Sequence, residues 1–314
     1  MAVQRLNVAV LMGGIGGERQ VSLQSGKYIA EALHQAGCSV TTSDITPDDM
    51  SVLDRTDVDV FFIALHGKFG EDGTLQGIME ERSLCYTGSG PEVSRLAMDK
   101  MASKAVFRRA GIPIAPAMTY EPGADIMAPV EKMAAGGKRL VVKPVTGGST
   151  VGVTIENSAE GALKAAAICH AEFGDAMIEQ FIAGREITVG LLHGRPLPII
   201  EIIPKGGFYD YNAKYVAEDT KYLFDTIDDD ATVRRAQADA VKCFSALGCL
   251  DFSRMDFILT PDGIPYALEM NTIPGFTSHS LLPKAAAKVG IAMPDLCIDI
   301  VKSALRRRQA AAQR

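Results

Sequence analysis

Two short segments towards the C-terminal end carry side chains at a spacing suited to chemistry. In SRMDF (Ser253–Phe257), Arg254 and Asp256 are two apart; in ALEMNT (Ala267–Thr272), Glu269 and Asn271 are two apart. Residues two apart on a strand share a face. The TPDG between them is a turn sequence, so the two pairs belong to one hairpin and can meet across its ladder. That brings three oxygen ligands, Asp256, Glu269 and Asn271, beside one guanidinium. Such a set suits Mg²⁺, which completes its shell with water and substrate phosphates; zinc's usual Cys and His ligands are missing here. Met255, Phe257, Leu268 and Met270 alternate with these residues and are expected in the core, which argues against a surface charge ladder.

The next segment, NTIPGFTSHSLLPKAA, adds backbone chemistry. Gly275 after Pro274 offers an N–H in a tight turn, a plausible oxyanion donor. Ser278 and Ser280 precede an apolar helical stretch, where a hydroxyl caps the helix; the same helix start attracts a carboxylate, so both readings hold together. His279 is read as structural. Upstream lie two glycine loops. In VVKPVTGGSTVGV (Val141–Val153) the P-loop pattern fails, since Val153 stands where its lysine belongs and Lys143 lies on the strand before. Two glycines and two hydroxyls can still fold over phosphates; taken alone, the loop could equally be a simple β-turn. In GGIGGERQ (Gly13–Gln20) the dinucleotide spacing fails at Arg19, although Asp44 lies near the position of a ribose-binding acid. The loop nevertheless presents N–H groups at a helix start. Glu18 there either complements the helix dipole or meets a ligand. In LHGKFGEDGTLQG (Leu65–Gly77), His66 falls just past a strand's C-terminal end, where sites form in α/β sheets. Asp72 before Gly73 reads as turn chemistry.

The elements that must position these groups follow two rhythms. In the first third, strands at Asn7–Met12, Ser39–Ile45 and Val58–Leu65 alternate with helices near Gln20–Gln35 and Thr74–Arg82, predicting a parallel sheet with helices on its faces. YTGSGPEV (Tyr86–Val93) reads as a hinge, followed by a helix over Ser94–Ala110 ended by GIP. The middle third predicts short strands at Arg139–Val145, Val151–Glu156 and Ala176–Ile182, with helices near Ile126–Ala135 and Gly161–Phe173, in an antiparallel sheet. The last third opens with two strands around His193–Gly194 and closes with the hairpin. Between them, KGGFYDYNAKYVAEDTKY lacks a core pattern and reads as a long functional loop. The terminal RRRQAAAQR reads as a fraying helix end.

Composition bounds the rest. The 314 residues are 47% hydrophobic and 22% charged, ordinary for a globular chain with room for two or three domains. A formal net charge of −6 argues against a general nucleic-acid binder. Six cysteines without CxxC pairing predict buried free thiols, and no apolar run of membrane-spanning length is present; the expectation is a cytoplasmic soluble protein.

Taken together, GGIGGERQVSL, LHGKFGEDGTLQG, YTGSG, MDK, VVKPVTGGSTVG, FYDYNAKY, SRMDF and LEMNTIPGFTSHSLLPKAA resemble, in order, the D-alanine–D-alanine ligases of the ATP-grasp superfamily. The resemblance spans nearly the whole chain. It implies an α/β N-terminal parallel domain over 1–90, then an α+β two-lobed ATP-grasp fold with a central lobe over 91–183 and a C-terminal lobe over 184–314. It implies ATP between the lobes: Lys100 and Lys143 on phosphates, the loop of Gly147, Gly148 and Thr150 over them, Glu179, Gln180 and Ile182 along the adenine, and Glu186 on the ribose. Asp256, Glu269 and Asn271 would hold two Mg²⁺ ions, with Mn²⁺ as a substitute. Glu18 resembles the residue that meets the first D-alanine's ammonium, with His66 nearby and Ser149 and Tyr215 as its hydrogen-bonded partners. Arg254 and Gly275 resemble oxyanion stabilisers. Ser280, Leu281 and Lys214 would receive the second D-alanine's carboxylate. A homodimer is expected from the family. Gln20, Gly16, Thr150 and Pro91–Glu92 depart from the family's usual pattern. The near alternatives are D-Ala–D-Ser and D-Ala–D-lactate ligases; Tyr215 stands against the latter, where the resemblance leads to Phe. A nicotinamide-dependent oxidoreductase, suggested by the opening turn alone, and a non-catalytic nucleotide-binding regulator are the readings from other classes.

Overall fold

Three sheets, written in different rhythms, organise the chain; the computed structural model describes residues 5–204 and 220–313. The N-terminal third forms β1 (Asn7–Gly13), α1 (Arg19–Gln35), β2 (Ser39–Ile45), β3 (Val60–Ile63) and α2 (Thr74–Glu81). These strands pair in parallel in the order β2-β1-β3. The four residues of β3 are buried throughout, Val60 and Phe62 in one core and Phe61 and Ile63 in another, as expected of a parallel strand covered on both faces.

The expected helix over Ser94–Ala110 is two helices, α3 (Pro91–Met98) and α4 (Lys100–Arg109). Asp99 makes the break: its backbone is extended (φ −81°, ψ 104°) and its carboxylate accepts from Ala102 N at 2.8 Å, capping α4. Hydrophobic spacing carried no trace of this, because a cap is a local polar event. The break leaves Lys100 first in α4, its N–H donating to Val145 O at 3.0 Å.

The middle strands, β4 (Ala117–Thr119), β5 (Leu140–Pro144), β6 (Thr154–Glu156) and β7 (Ala176–Gln180), form an antiparallel sheet in the order β4-β7-β5-β6. Helices α5 (Met127–Ala134) and α6 (Ala159–Phe173) pack on it around Val130, Leu140, Val142, Ala162 and Ile178. The third sheet is also antiparallel, β10-β9-β8-β11-β12. It comprises β8 (Arg185–Leu192), β9 (Arg195–Ile203), β10 (Lys221–Leu223), β11 (Phe252–Leu259) and β12 (Pro265–Asn271). Helix α7 (Asp230–Leu247) packs on it with α3 and α4. Of the long loop expected over 205–222, residues 205–219, including Lys214 and Tyr215, lie outside the described residues; its end is strand β10.

Helices α8 (Leu281–Lys288) and α9 (Met293–Ala312) close the fold. They join one core with α1, β1, β3 and the larger sheet, in which Phe62, Phe252 and Phe276 meet at centroid distances of 5.4–6.2 Å. The expected fraying tail is anchored at its start. Arg307 donates to Asp251 Oδ1 at 2.5 Å and to Tyr86 O at 2.8 Å, while Asp251 also accepts from Gly88 N at 2.8 Å. Charge alone, read as RRR, could not identify a buried partner 56 residues away. All six cysteines are buried and free. Among the described residues, no helix is long and apolar enough to cross a membrane.

Candidate active site

The N-terminal wall is built by the glycine turn after β1. A Cβ on Gly13 (φ +84°) would stand 2.0 Å from Asp44 Oδ1, so only glycine lets Asp44 reach Arg19, with which it forms a two-pronged ion pair. The acid near the end of β2 is therefore engaged, and the dinucleotide reading loses its ribose ligand. Glu18 stands at the start of α1 but makes no capping bond. Its carboxylate instead accepts from the Ser149 hydroxyl, 131 residues further on in the glycine loop after β5.

His66 is buried beyond β3. Its Nδ1 lies 2.9 Å from Ile273 O, a pure acceptor, so Nδ1 carries the proton and Nε2, 3.4 Å from Ser25 Oγ, is left as acceptor. Burial, opposed by Glu18, pulls its pKa below the ordinary value and keeps it neutral. Glu71 was not singled out by the sequence, yet it faces the same space. It accepts from Gly67 N at 3.2 Å and Ile273 N at 3.3 Å. Burial, then the Glu18 charge, pushes its carboxyl up to about 8.

The opposite wall is the β11–β12 hairpin. Its register pairs Arg254 with Asn271 and Asp256 with Glu269, so the four side chains share a face, as the two-residue spacing requires. Gly263 N bonds to Thr260 O at 2.9 Å across the TPDG turn. A bulge after Asp256 shifts the register. Leu268, expected in the core, is turned by this bulge to the wall of a cavity. Arg254 holds Asp256 through Nε at 2.9 Å and Nη2 at 2.8 Å, and Thr188 of β8 donates to Asp256 at 2.5 Å. Asn271, with its amide oriented to satisfy both ends, donates to Glu71 Oε1 at 2.7 Å and accepts from Arg254 Nη2 at 3.3 Å.

After the hairpin, a Cβ on Gly275 would meet Ser280 Oγ at 2.7 Å, so the turn closes tightly on the start of α8. Ser280 does not cap α8 with its side chain; its Oγ accepts from Thr277 N at 2.9 Å. The expected cap is thus a turn-closing hydroxyl, because Thr277 offers a nearer donor than the helix's own first turn.

Between the two antiparallel sheets lies a cavity of about 420 Å³. Lys100, Lys143, Gly147, Gly148 and Thr150 line one end, and Glu179, Gln180, Ile182 and Glu186 line the other side, with Val141, Ile258 and Leu268 supplying apolar wall. Glu179 is held between Lys143 Nζ at 2.5 Å and Lys104 Nζ at 3.0 Å. Burial works against its charge, but the two lysines outweigh that and hold its pKa at about 2. Lys104, on α4, is 2% exposed and is pulled below its ordinary pKa by burial.

A second cavity, of about 690 Å³, lies between the N-terminal wall and the hairpin. Glu18, His66, Ser149 and Arg254 line it, as do Glu269, Asn271, Gly275, Ser280 and Leu281. The two cavities meet at Lys100, Gly147, Gly148 and Glu269. There Lys100 Nζ donates to Gly147 O at 2.6 Å and stands 3.8 Å from Glu269. Asp256 lines neither cavity; it lies 5% exposed behind Arg254. Among the described residues no three His, Cys, Asp or Glu side chains converge as a metal cage. The donor set is two carboxylates and an amide, a hard-oxygen set that fits Mg²⁺.

A parallel α/β unit followed by two antiparallel sheets closing on a cavity defines an ATP-grasp enzyme. The chain belongs to the D-alanine–D-alanine ligase family. The model described as "D-ala D-ala ligase C-terminus" matches residues 106–302, and "D-ala D-ala ligase N-terminus" matches residues 49–89. The chain is 44% identical over 308 residues to a D-alanine–D-alanine ligase of Syntrophotalea carbinolica, covering 98% of each chain. Among solved structures it is similar to the D-alanine–D-alanine ligase from Bacillus anthracis complexed with ATP (TM-score 0.85, 33% identity, covering 98% of this chain and 99% of that one). It is also similar to the VanG D-Ala:D-Ser ligase from Enterococcus faecalis (TM-score 0.82, 28% identity, covering 96% and 100%).

Proposed function

We propose that this protein joins two D-alanines to D-alanyl-D-alanine at the expense of ATP, through a D-alanyl phosphate, for peptidoglycan precursor synthesis. The observation that carries the proposal is the junction of the cavities. The space between the two antiparallel sheets, apolar along one wall, and the larger polar space beside Glu18 and Arg254 share the lysine, glycine loop and carboxylate that would handle a phosphate passing between them.

ATP occupies the smaller cavity, its purine against Val141, Ile258 and Leu268 beside Gln180 and Ile182, its ribose at Glu186. Lys100, Lys143 and the N–H groups of the 147–150 loop take the phosphates. Glu269 and Asn271, with Asp256 behind Arg254, would hold Mg²⁺, which would supply charge neutralisation to the phosphates. The first D-alanine sets its ammonium on Glu18, which Ser149 fixes in place. Its carboxylate attacks the γ-phosphorus, ADP leaves, and the acyl phosphate forms. The second D-alanine places its carboxylate at the start of α8, near Ser280 and Leu281, where the helix dipole favours a negative charge. Its amine, having lost a proton, attacks the acyl carbon. Arg254 and the Gly275 N–H stabilise the oxyanion, and inorganic phosphate departs. Lys214 and Tyr215 take part from the 205–219 segment. The three-part division at residues 90 and 183, a homodimer and a cytoplasmic location belong to the same proposal.

ADP release that depends on both D-alanine and Mg²⁺ tests the reading, with product analysis against D-serine and D-lactate as second substrates. Predominant D-Ala–D-lactate at neutral pH, or ADP release indifferent to D-alanine, would overturn it.

A further inference from the structure

Asn271 and Glu71 come from opposite walls of the larger cavity, yet they are joined. Glu71 follows β3 in the N-terminal unit and is fixed by Gly67 N (3.2 Å) and by Ile273 N (3.3 Å), two residues beyond Asn271 itself. An amide is nearly symmetric in shape, so packing cannot decide which end faces which way; its neighbours' polarity must. Asn271 has an acceptor on one side, Glu71 Oε1 at 2.7 Å, and a donor on the other, Arg254 Nη2 at 3.3 Å. Only the oxygen of that amide can ligate a cation. Arg254 is a poor permanent guide, because the proposed reaction turns it to an oxyanion. Glu71, tied to backbone at both oxygens, stays. Its Oε1 can accept whether or not the carboxyl carries a proton.

We propose that Glu71 is a positioning residue for the metal site: it holds the Nδ2 end of Asn271 and so keeps Oδ1 on the opposite side, available to ligate a Mg²⁺ ion. The inference rests on the reading of Asn271 as a metal ligand. It also gives the GKFGEDG segment a role that its sequence did not disclose. The N-terminal unit contributes to the metal site without supplying a ligand. Partners of this indirect kind are worth about 10- to 100-fold in metal affinity where they have been removed.

The test is Mn²⁺ binding to the full chain with a non-hydrolysable ATP analogue, read as free Mn²⁺ by electron paramagnetic resonance. Glu71→Met keeps the buried volume and removes the acceptor; Glu71→Ala replaces it should Glu71→Met fail to fold. Glu71→Gln keeps an acceptor for Asn271, and Asn271→Ala removes the ligand. Glu71→Met should bind Mn²⁺ about 10-fold or more weakly. Glu71→Gln should stay within about threefold of the unsubstituted protein, and Asn271→Ala should lose at least as much as Glu71→Met. Undiminished binding in Glu71→Met alongside a loss in Asn271→Ala overturns the inference while leaving the metal reading intact. A Glu71→Gln loss as large as that of Glu71→Met also overturns it, since the acceptor would then be irrelevant. Unchanged binding in Asn271→Ala sinks the metal reading, and the inference with it.

Discussion

Replacing Glu179 by Gln should expose the cost of the lysine pair around it. Lys104 sits on α4, packed with the larger sheet, and also donates to Ala267 O at 3.3 Å; Lys143 sits on β5 of the other sheet. Glu179 thus neutralises two cations from different elements, at 3.0 and 2.5 Å. Its pKa falls from 4.5 to about 2, and at ~1.36 kcal/mol per unit this corresponds to about 3 kcal/mol of stability. Breaking a buried pair by removing one partner costs about 3–5 kcal/mol, the same order. With an unfolding entropy of ~2.1 cal/mol/K per residue, the melting temperature should fall by about 5–8 °C. The sign with pH is fixed. A depressed carboxylate gives its stability above the unfolded pKa and loses it as pH falls through the folded one, so the gap between variant and parent closes from about pH 4.5 towards 2. Towards alkaline pH the variant should recover, because Lys104, already pulled down by burial, can shed its proton. Glu179→Gln/Lys104→Met should regain at least half the loss, leaving Lys143 free to turn towards water. Urea denaturation of the parent and the two variants measures this. A single-variant loss under about 1 kcal/mol, or a double variant no more stable than the single, would refute the reasoning.

Ser149→Ala removes the donor to Glu18; a hydrogen bond to a charged group is worth about 1.5–3 kcal/mol, so kcat/KM for the first D-alanine should drop about 10- to 100-fold, with melting almost unchanged. Steady-state kinetics with a thermal scan checks both halves. Arg307→Ala leaves Asp251, 5% exposed, with Gly88 N as its remaining partner among these bonds, and should cost about 2 kcal/mol, read as a lower urea midpoint at unchanged m. Gly70→Ala would push a Cβ to 2.2 Å from Leu65 Cβ and 3.1 Å from its backbone carbon, and should cost about 3 kcal/mol by calorimetry, because backbone cannot step aside.

The legible parts of this molecule are those where chemistry and periodicity coincide. Asp256 and Glu269 could be paired from the sequence because a strand's two-residue period and a Pro-Asp-Gly turn leave one register that keeps Met255 and Met270 buried. Leu268 broke the pattern because a bulge is an extra residue, invisible to strict alternation. Asp99 was hidden for the opposite reason: α3 and α4 bury compatible faces, and only a capping bond divides them. Glu71 and Arg307 gain their meaning from groups 202 and 56 residues away, and no local reading contains such a distance. Lys104 carries no local sign of its partner either, since its burial depends on a carboxylate from another element.

The shared core described above has a mechanical consequence. The N-terminal sheet, the larger sheet and helices α8 and α9 are cemented together, with Arg307 as a bolt through the joint. The smaller sheet keeps an oil drop of its own around Val130 and Ile178. The molecule is therefore an anvil and a single jaw. The contacts of Ser149 with Glu18 and of Gly147 with Lys100 span the joint between them, so a ligand that widened the nucleotide space would pull on both.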